Sequence, residues 1–220
     1  MPYQLQRILG QYTELYGGMR DAAALSSVIV EGSIEQSGKK MRFMTHRKGP
    51  NLLRYCLFRD ANSVTSGYDG EVGWIRRETN GAVEIERLEG ADLDRIKEMA
   101  RFESPLFRHN EKSDYVFKLL PQRYWKGRSV NVIEVTGSEG MVSHYFLDAQ
   151  KAHILRLDKF DASGGLRGQT LYRDYREVEG FPFAYEVEQR SADETLSVAK
   201  VDSISVNRGV LSFYFKEPSR

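Results

Sequence analysis

Cysteine and histidine are scarce in this sequence, and their scarcity excludes several classes of site. One cysteine, Cys56, stands among 220 residues, so an intrachain disulfide and a cysteine metal cluster are both excluded. The four histidines share no metal-binding spacing, and neither an HExxH nor a CxxC motif occurs: they are His46, His109, His144 and His153. We therefore expect no metal and no cofactor.

Excess charge and long apolar runs are also missing. The 32 basic and 31 acidic residues leave a net charge of +1, so no broad attraction to nucleic acid or to an anionic membrane is expected. No apolar run approaches the ~20 residues of a membrane span. The start, MPYQLQRILGQY, lacks the features of a secretory leader. Taken alone, these residues fit either a cytosolic protein or one whose leader has been removed.

Motifs for covalent catalysis are absent too. The stretch TGSEG, residues 136–140, contains a serine between glycines, but its order differs from GxSxG and it joins two predicted strands. A hairpin loop is the better interpretation. The sequence therefore predicts a protein without enzymatic activity, with catalysis on lipids as the least favoured option.

Two amphipathic helices are predicted. Residues 3–16 place apolar side chains on one face at three- and four-residue spacing, ending at Gly17 and Gly18. A short helical piece over 19–25 follows. The second amphipathic helix covers 91–103 and ends before Pro105.

Most of the remaining chain alternates apolar and polar residues with a period of two. Turn signals such as Ser37-Gly38, Asp69-Gly70 and Asn80-Gly81 recur about every ten residues, which is typical of an antiparallel meander. We find no linker rich in Pro, Gly or Ser, so a single domain spanning 1–220 is expected. The helices are the available cover for one face of such a sheet.

Several segments, taken in chain order, resemble one family, the outer-membrane lipoprotein-sorting proteins (LolA/LolB-like periplasmic carriers). The segments are the helix and first strand of LGQYTELYGGMRDAAALSSVIVEG, Pro50 and Arg54 of RKGPNLLRYCL, and YDGEVGW with Tyr68, Asp69, Gly70, Gly73 and Trp74. They continue with Tyr145 and Asp148, then with Asp174, Tyr175, Arg176, Val178, Gly180 and Pro182, and end with Asn207, Phe215 and Pro218.

This resemblance implies a mainly β fold, a half-open antiparallel β-barrel of about eleven strands with a small α-helical lid. It implies an apolar cavity that holds acyl chains of a lipid or lipoprotein, in outer-membrane lipoprotein sorting or lipid transport. It also implies a periplasmic or cell-envelope location, with a signal peptide already removed. The expected partners are those acyl chains and an envelope protein, and the chain is expected to be a monomer.

The predicted cavity lining combines inward-facing strand positions with one side of the second helix. It comprises Phe43, Leu53, Tyr55, Leu57, Trp74, Leu93, Ile96, Met99, Phe183 and Tyr185. Trp74 fits the cavity wall or rim and ordinary core packing equally well. The rival function is an envelope-stress sensor or protein-binding module of the same fold.

Overall fold

The structure is a computed structural model that describes residues 1–17, 25–110, 115–137, 140–191 and 194–219. The helices are α1 (Tyr3–Glu14) and α2 (Gly90–Ala100), with 3-10 turns at Pro105–Asn110 and Ser212–Phe215. The strands are β1 (Ser27–Gln36), β2 (Lys39–Lys48), β3 (Leu52–Arg59), β4 (Asn62–Tyr68), β5 (Gly73–Thr79), β6 (Ala82–Arg87), β7 (Val116–Trp125), β8 (Arg128–Thr136), β9 (Val142–Asp148), β10 (Ile154–Phe160), β11 (Leu166–Val178), β12 (Phe181–Arg190) and β13 (Thr195–Val206).

The strands form one open sheet in the order β6-β5-β4-β3-β2-β1-β13-β12-β11-β10-β9-β8-β7. Wherever the described residues define the register of two neighbouring strands, the two strands are antiparallel. The prediction of a mainly β, open antiparallel fold with a small helical component is therefore confirmed. The strand number is thirteen rather than about eleven, because nearly every turn signal along the chain closes a hairpin of its own.

Two-residue turns fix the register of four hairpins. Ser37-Gly38, Asn80-Gly81, Lys126-Gly127 and Glu179-Gly180 each have positive φ at both positions. Such turns match the right-handed twist of the strands that they join. The first two were predicted from the sequence. The other two place Lys or Glu at the first turn position, which is a weaker signal than Asn or Asp.

By density of contacts the chain divides into two compact units. Unit 1 comprises residues 1–24 and 104–199, and unit 2 comprises residues 25–103 and 200–220. Each unit is described by itself below. The single domain over 1–220 stays a prediction. The helical piece predicted over 19–25 lies outside the described residues except for Leu25, which is not helical.

The core of unit 1 lies between α1 and the sheet. Helix α1 buries Leu5, Ile8, Leu9 and Tyr12, the face that the sequence predicted, against strand residues. The helix ends close to Gly17, whose φ of 91° suits glycine. The strand side chains of this cluster, on β8 and β9, are Ile133, Val135, Tyr145 and Leu147.

An aromatic group at the end of α1 completes this core. The ring centroids of Tyr12, Tyr16 and Phe107 are 5.3–5.5 Å apart in tilted or edge-on arrangements, the geometry that aromatic quadrupoles favour. Burial raises the pKa of Tyr16 to about 12, with Tyr172 adding to the effect. Burial also raises the pKa of Tyr12, so Tyr12 and Tyr16 both stay neutral at physiological pH.

No helix among the described residues is long and apolar enough to cross a membrane.

We expect Leu9→Ala to lower the free energy of unfolding by about 2–5 kcal/mol, because Leu9 is fully buried between α1 and the sheet. Urea denaturation followed by circular dichroism measures the change. The matched control is Tyr3→Ala, which removes a larger side chain that is 80% exposed on the same helix. Its effect should stay within about 0.5 kcal/mol. Equal losses in the two variants would contradict this account of the core.

Candidate functional site

The ten residues predicted to line a cavity are divided between the two units. Phe183 and Tyr185 belong to unit 1, and the other eight belong to unit 2. On β12 both aromatic side chains are half-buried, and the guanidinium of Arg176 lies 4.2 Å from the centroid of the Tyr185 ring. Their place in a ligand site stays a prediction. The site below is built from unit 2 alone.

One face of strands β3–β5 carries the apolar residues that meet α2. The register pairs Leu53 with Tyr68, and Tyr68 with Gly73, so all three lie on the same face. We call it the helix face, with Phe43, Tyr55 and Leu57 as its further members. Leu53, Tyr68, Ile96 and Ala100 form a buried cluster there, with Tyr55, Leu88 and Leu93 packed against it.

Helix α2 approaches this face closely because β5 begins with a glycine. A Cβ at Gly73 would lie 2.8 Å from Leu93 Cδ1 and 3.0 Å from Ile96 Cγ2, so a larger residue would force these α2 side chains to shift. The inward side of α2 consists of Leu93, Ile96 and Ala100. Met99, also predicted to face the sheet, is 43% exposed and lies outside this buried stripe.

The end of α2 is fastened to the strands by backbone and cation contacts. Phe102 donates its N–H to Pro50 O at 3.1 Å, and the guanidinium of Arg47 donates to Arg101 O. The same guanidinium lies 5.8 Å from the centroid of the Phe102 ring. These contacts hold only the C-terminal end of α2. Along the body of the helix, Leu93, Ile96 and Ala100 pack against the sheet.

The apolar strip of the helix face continues past α2. Leu53 is 1% exposed, whereas Tyr55 and Leu57 are half-buried, and Val64, opposite Leu57, is exposed. Phe43 pairs with Leu57, and its ring lies 6.3 Å from that of Tyr55. Burial raises the pKa of Tyr55 to about 12, with Cys56 adding to it. The strip is therefore uncharged, and away from α2 it is partly open at Tyr55, Leu57 and Val64, whereas Phe43 is buried.

Trp74 does not lie on the helix face, which corrects its predicted position beside Leu53 and Tyr55. It pairs with Gly67, and Gly67 pairs with Arg54, which places these residues on the opposite side of the sheet. Trp74 is fully buried, and its Nε1–H donates to Phe215 O at 2.9 Å. The prediction placed Trp74 on the wrong face because neighbouring strand residues such as Gly73 and Trp74 point to opposite sides, so an error of one residue in register reverses the face.

The opposite face of unit 2 is covered by the chain's C-terminal segment, residues 207–217. Arg54 donates to Tyr214 O at 3.0 Å, and its guanidinium lies 4.4 Å from the Tyr214 ring centroid. In the sequence, Arg54, Trp74 and Phe215 are separate motif positions, and their contact in the structure was not predicted. The signal that could have joined them is the Gly67 to Trp74 stretch, since a glycine opposite a tryptophan leaves room for its ring.

A cavity of about 420 Å³ lies near the β1–β2 and β3–β4 turns. Its lining comprises Ser33, Lys40, Met41, Arg42, Phe58, Arg59 and Asp60, none of which was among the ten predicted residues. Within the described part of the chain, no group of three or more His, Cys, Asp or Glu residues is placed to hold a metal ion. The helix face is thus the most apolar candidate for ligand binding.

Comparison with known proteins places this geometry in a structural context. No protein-family model matches the sequence, and no curated protein matches it. A DUF1329 family protein from Desulfovibrio piger superposes with a TM-score of 0.67 at 13% identity, over 93% of this chain and 95% of that chain.

Two further solved structures are similar over nearly the whole length. A domain described as an outer membrane lipoprotein-sorting protein, from Vibrio parahaemolyticus, has a TM-score of 0.63 at 12% identity, covering 95% of this chain and 94% of that one. A LolA superfamily protein from Nitrosomonas europaea has a TM-score of 0.61 at 15% identity, covering 96% and 97%. The chain therefore has the LolA-like fold.

Proposed function

We propose that this protein is a non-enzymatic carrier that binds acyl chains of a lipid or lipoprotein on the helix face of unit 2, with α2 as a movable lid. The observation that carries the proposal is the apolar strip that passes from beneath α2 to a half-buried end at Tyr55 and Leu57, beside the exposed Val64. The similarity of fold to an outer membrane lipoprotein-sorting domain supports the choice of ligand.

The chemistry of the strip suits an acyl chain. It offers aliphatic and aromatic side chains, and its phenols, Tyr55 and Tyr68, stay protonated at physiological pH because burial raises the pKa of both. At roughly 25 cal/mol per Å² of apolar area removed from water, a buried acyl chain gains several kcal/mol of binding free energy. Binding of this kind is non-directional, so the strip would select for chain length and width.

Lid movement is the step that would give access. Helix α2 presents Leu93, Ile96 and Ala100 to Leu53 and Tyr68, and these contacts resemble those that an acyl chain would make. An incoming chain would replace them one for one, so the apolar area lost from α2 is recovered from the ligand. The fastening at Arg47 and Phe102 would act as the hinge end of the lid.

The proposed setting is the periplasm or cell envelope. A carrier of acyl chains is needed where lipids or lipoproteins cross an aqueous space between two membranes. The proposed protein partner is an envelope protein that receives the cargo or opens the lid. A protein-binding module or envelope-stress sensor of the same fold is the alternative, and lipid-binding experiments separate it from a carrier.

The first expectation concerns binding itself. Native mass spectrometry of protein purified without detergent, followed by organic extraction, should reveal a bound phospholipid or fatty acid. The affinity for an added fluorescent fatty acid should fall at least about tenfold in Leu57→Glu, because the substitution sets a carboxylate beside the apolar strip.

Phe58→Glu is the matched control for this experiment. It introduces the same charge one residue along β3, on the opposite face of the sheet and at a similarly half-buried position. It should bind fatty acid like the unmodified protein. Equal loss in both variants would show that the site is not on the helix face. A folded protein that takes up no lipid at all would reject the carrier and favour the protein-binding alternative.

The second expectation concerns the lid. Gly73→Ala places a methyl group 2.8 Å from Leu93 Cδ1 and 3.0 Å from Ile96 Cγ2, so these side chains must shift and the packing of α2 on the sheet is loosened. Amide hydrogen exchange in α2 should become faster, the free energy of unfolding should fall by about 1–3 kcal/mol, and fatty-acid uptake should accelerate.

Gly10→Ala in α1 is the control for the added methyl group, since its Cβ would meet nothing within 4 Å. It should leave α2 exchange and uptake unchanged. Faster exchange in α2 of Gly73→Ala combined with unchanged or slower uptake would show that α2 is a structural cover and does not control access.

A further inference from the structure

The C-terminal segment, residues 207–217, crosses the face of unit 2 opposite α2 and is fastened strand by strand. At its start, Asn207 Oδ1 accepts from Ser26 N at 2.8 Å and from Ser27 N, in β1, at 3.3 Å. Lys48, at the end of β2, donates to Val210 O at 2.9 Å.

The second half of the segment is fastened to three more strands. Arg54 of β3 donates to Tyr214 O at 3.0 Å, and Trp74 of β5 donates to Phe215 O at 2.9 Å. Arg87 of β6 makes a 2.8 Å ion pair with Glu217 at the end. Besides the backbone bond that Asn207 donates to Ser27 O and the burial of Phe215, these contacts come from side chains of the strands, so the segment lies outside the β2–β5 hydrogen-bond ladder.

One titratable group lies at the centre of this arrangement. His46 of β2 is buried, and its ring lies 4.8 Å from that of Tyr214 in an edge-on contact. Across the ladder His46 pairs with Arg54. Among the residues that the structure describes, His46 Nδ1 has no hydrogen-bond partner.

Protonation of His46 is opposed by each of these features. An imidazolium carries an N–H on both ring nitrogens, and the one at Nδ1 would be buried without an acceptor. A second cation would face Arg54 directly across the strand pair, which is destabilising. The Tyr214 ring already receives the Arg54 guanidinium at 4.4 Å, which limits what it can offer to another cation.

Charged groups on the neighbouring strands act on His46 in opposite directions. Glu31 of β1 favours the protonated form, whereas burial and Arg54 act against it, and the net result is a pKa below the ordinary value of 6.5. Lys48, two residues along β2, adds a positive charge on the same face. Cys56 of β3 lies two residues from Arg54 on the same face, and the ring of Tyr214 lies against that of His46.

We propose that the C-terminal segment is a pH-sensitive latch, in which protonation of His46 releases Tyr214 and Phe215 from the sheet and uncovers Trp74. With the segment detached, His46 reaches water and regains its ordinary proton affinity. The closed form is therefore fully favoured above pH 6.5 and loses stability as the pH falls below that value. This device does not depend on the proposed carrier function.

The test follows the accessibility of Trp74 without any lipid. In a Trp125→Phe background, Trp74 is the only tryptophan, and its acrylamide quenching constant is measured from pH 8 to pH 5. We expect quenching to increase below pH 6.5, with the opening equilibrium constant rising by up to about tenfold per pH unit. Far-UV circular dichroism over the same range should stay constant.

His46→Phe, which keeps an aromatic ring against Tyr214 but never becomes charged, should abolish the pH response. His46→Gln gives the same test if the phenylalanine variant fails to fold. The matched control is His153→Phe, because His153 is also held below its ordinary pKa by burial but lies in unit 1. It should keep the full response. A response that persists without His46, no response in the parent protein, or one that coincides with loss of circular dichroism would overturn the latch.

Discussion

Alternation of side chains across strands β3, β4 and β5 is the constraint on which the organisation of unit 2 depends. Residues 53, 68 and 73 face one side, and residues 54, 67 and 74 face the other. Three strands thus serve two packing partners, α2 and the C-terminal segment. On each face a glycine leaves the room that the packing needs. Gly73 lets α2 approach the sheet, and Gly67 makes space for the indole of Trp74.

The two partners are held by different forces. Helix α2 rests on apolar burial, which is non-directional and can be transferred to another apolar body. The C-terminal segment rests on hydrogen bonds, ring contacts and an ion pair with fixed geometry. The first kind of contact suits exchange with a ligand, and the second suits a response to protonation, because burial and Arg54 disfavour an added charge on His46 more than Glu31 favours it.

In unit 1 the helix buries more apolar side chains than α2 does in unit 2. This helix, α1, buries four apolar residues, and its end is joined to an aromatic group that includes Tyr16 and Phe107. Helix α2 buries only Ile96 and Ala100 fully. Because α1 buries more apolar side chains than α2, the proposed lid is the helix with less apolar contact to lose.

The sequence by itself determined the secondary structure and the class of fold. Period-two alternation, turn pairs such as Ser37-Gly38 and Asn80-Gly81, and the buried face of α1 are local patterns, and the structure has them where the sequence predicted them. Of the ten residues that the sequence predicted to line a cavity, Leu53, Tyr55, Leu93 and Ile96 pack together between α2 and the sheet, and their role in ligand binding stays a prediction. Only the tertiary structure decided that Trp74 faces the other way, because the face of a strand residue depends on register and not on residue type. It also decided that His46, Arg54 and Tyr214 meet, since residues more than 150 positions apart in sequence come together only through the path of the C-terminal segment.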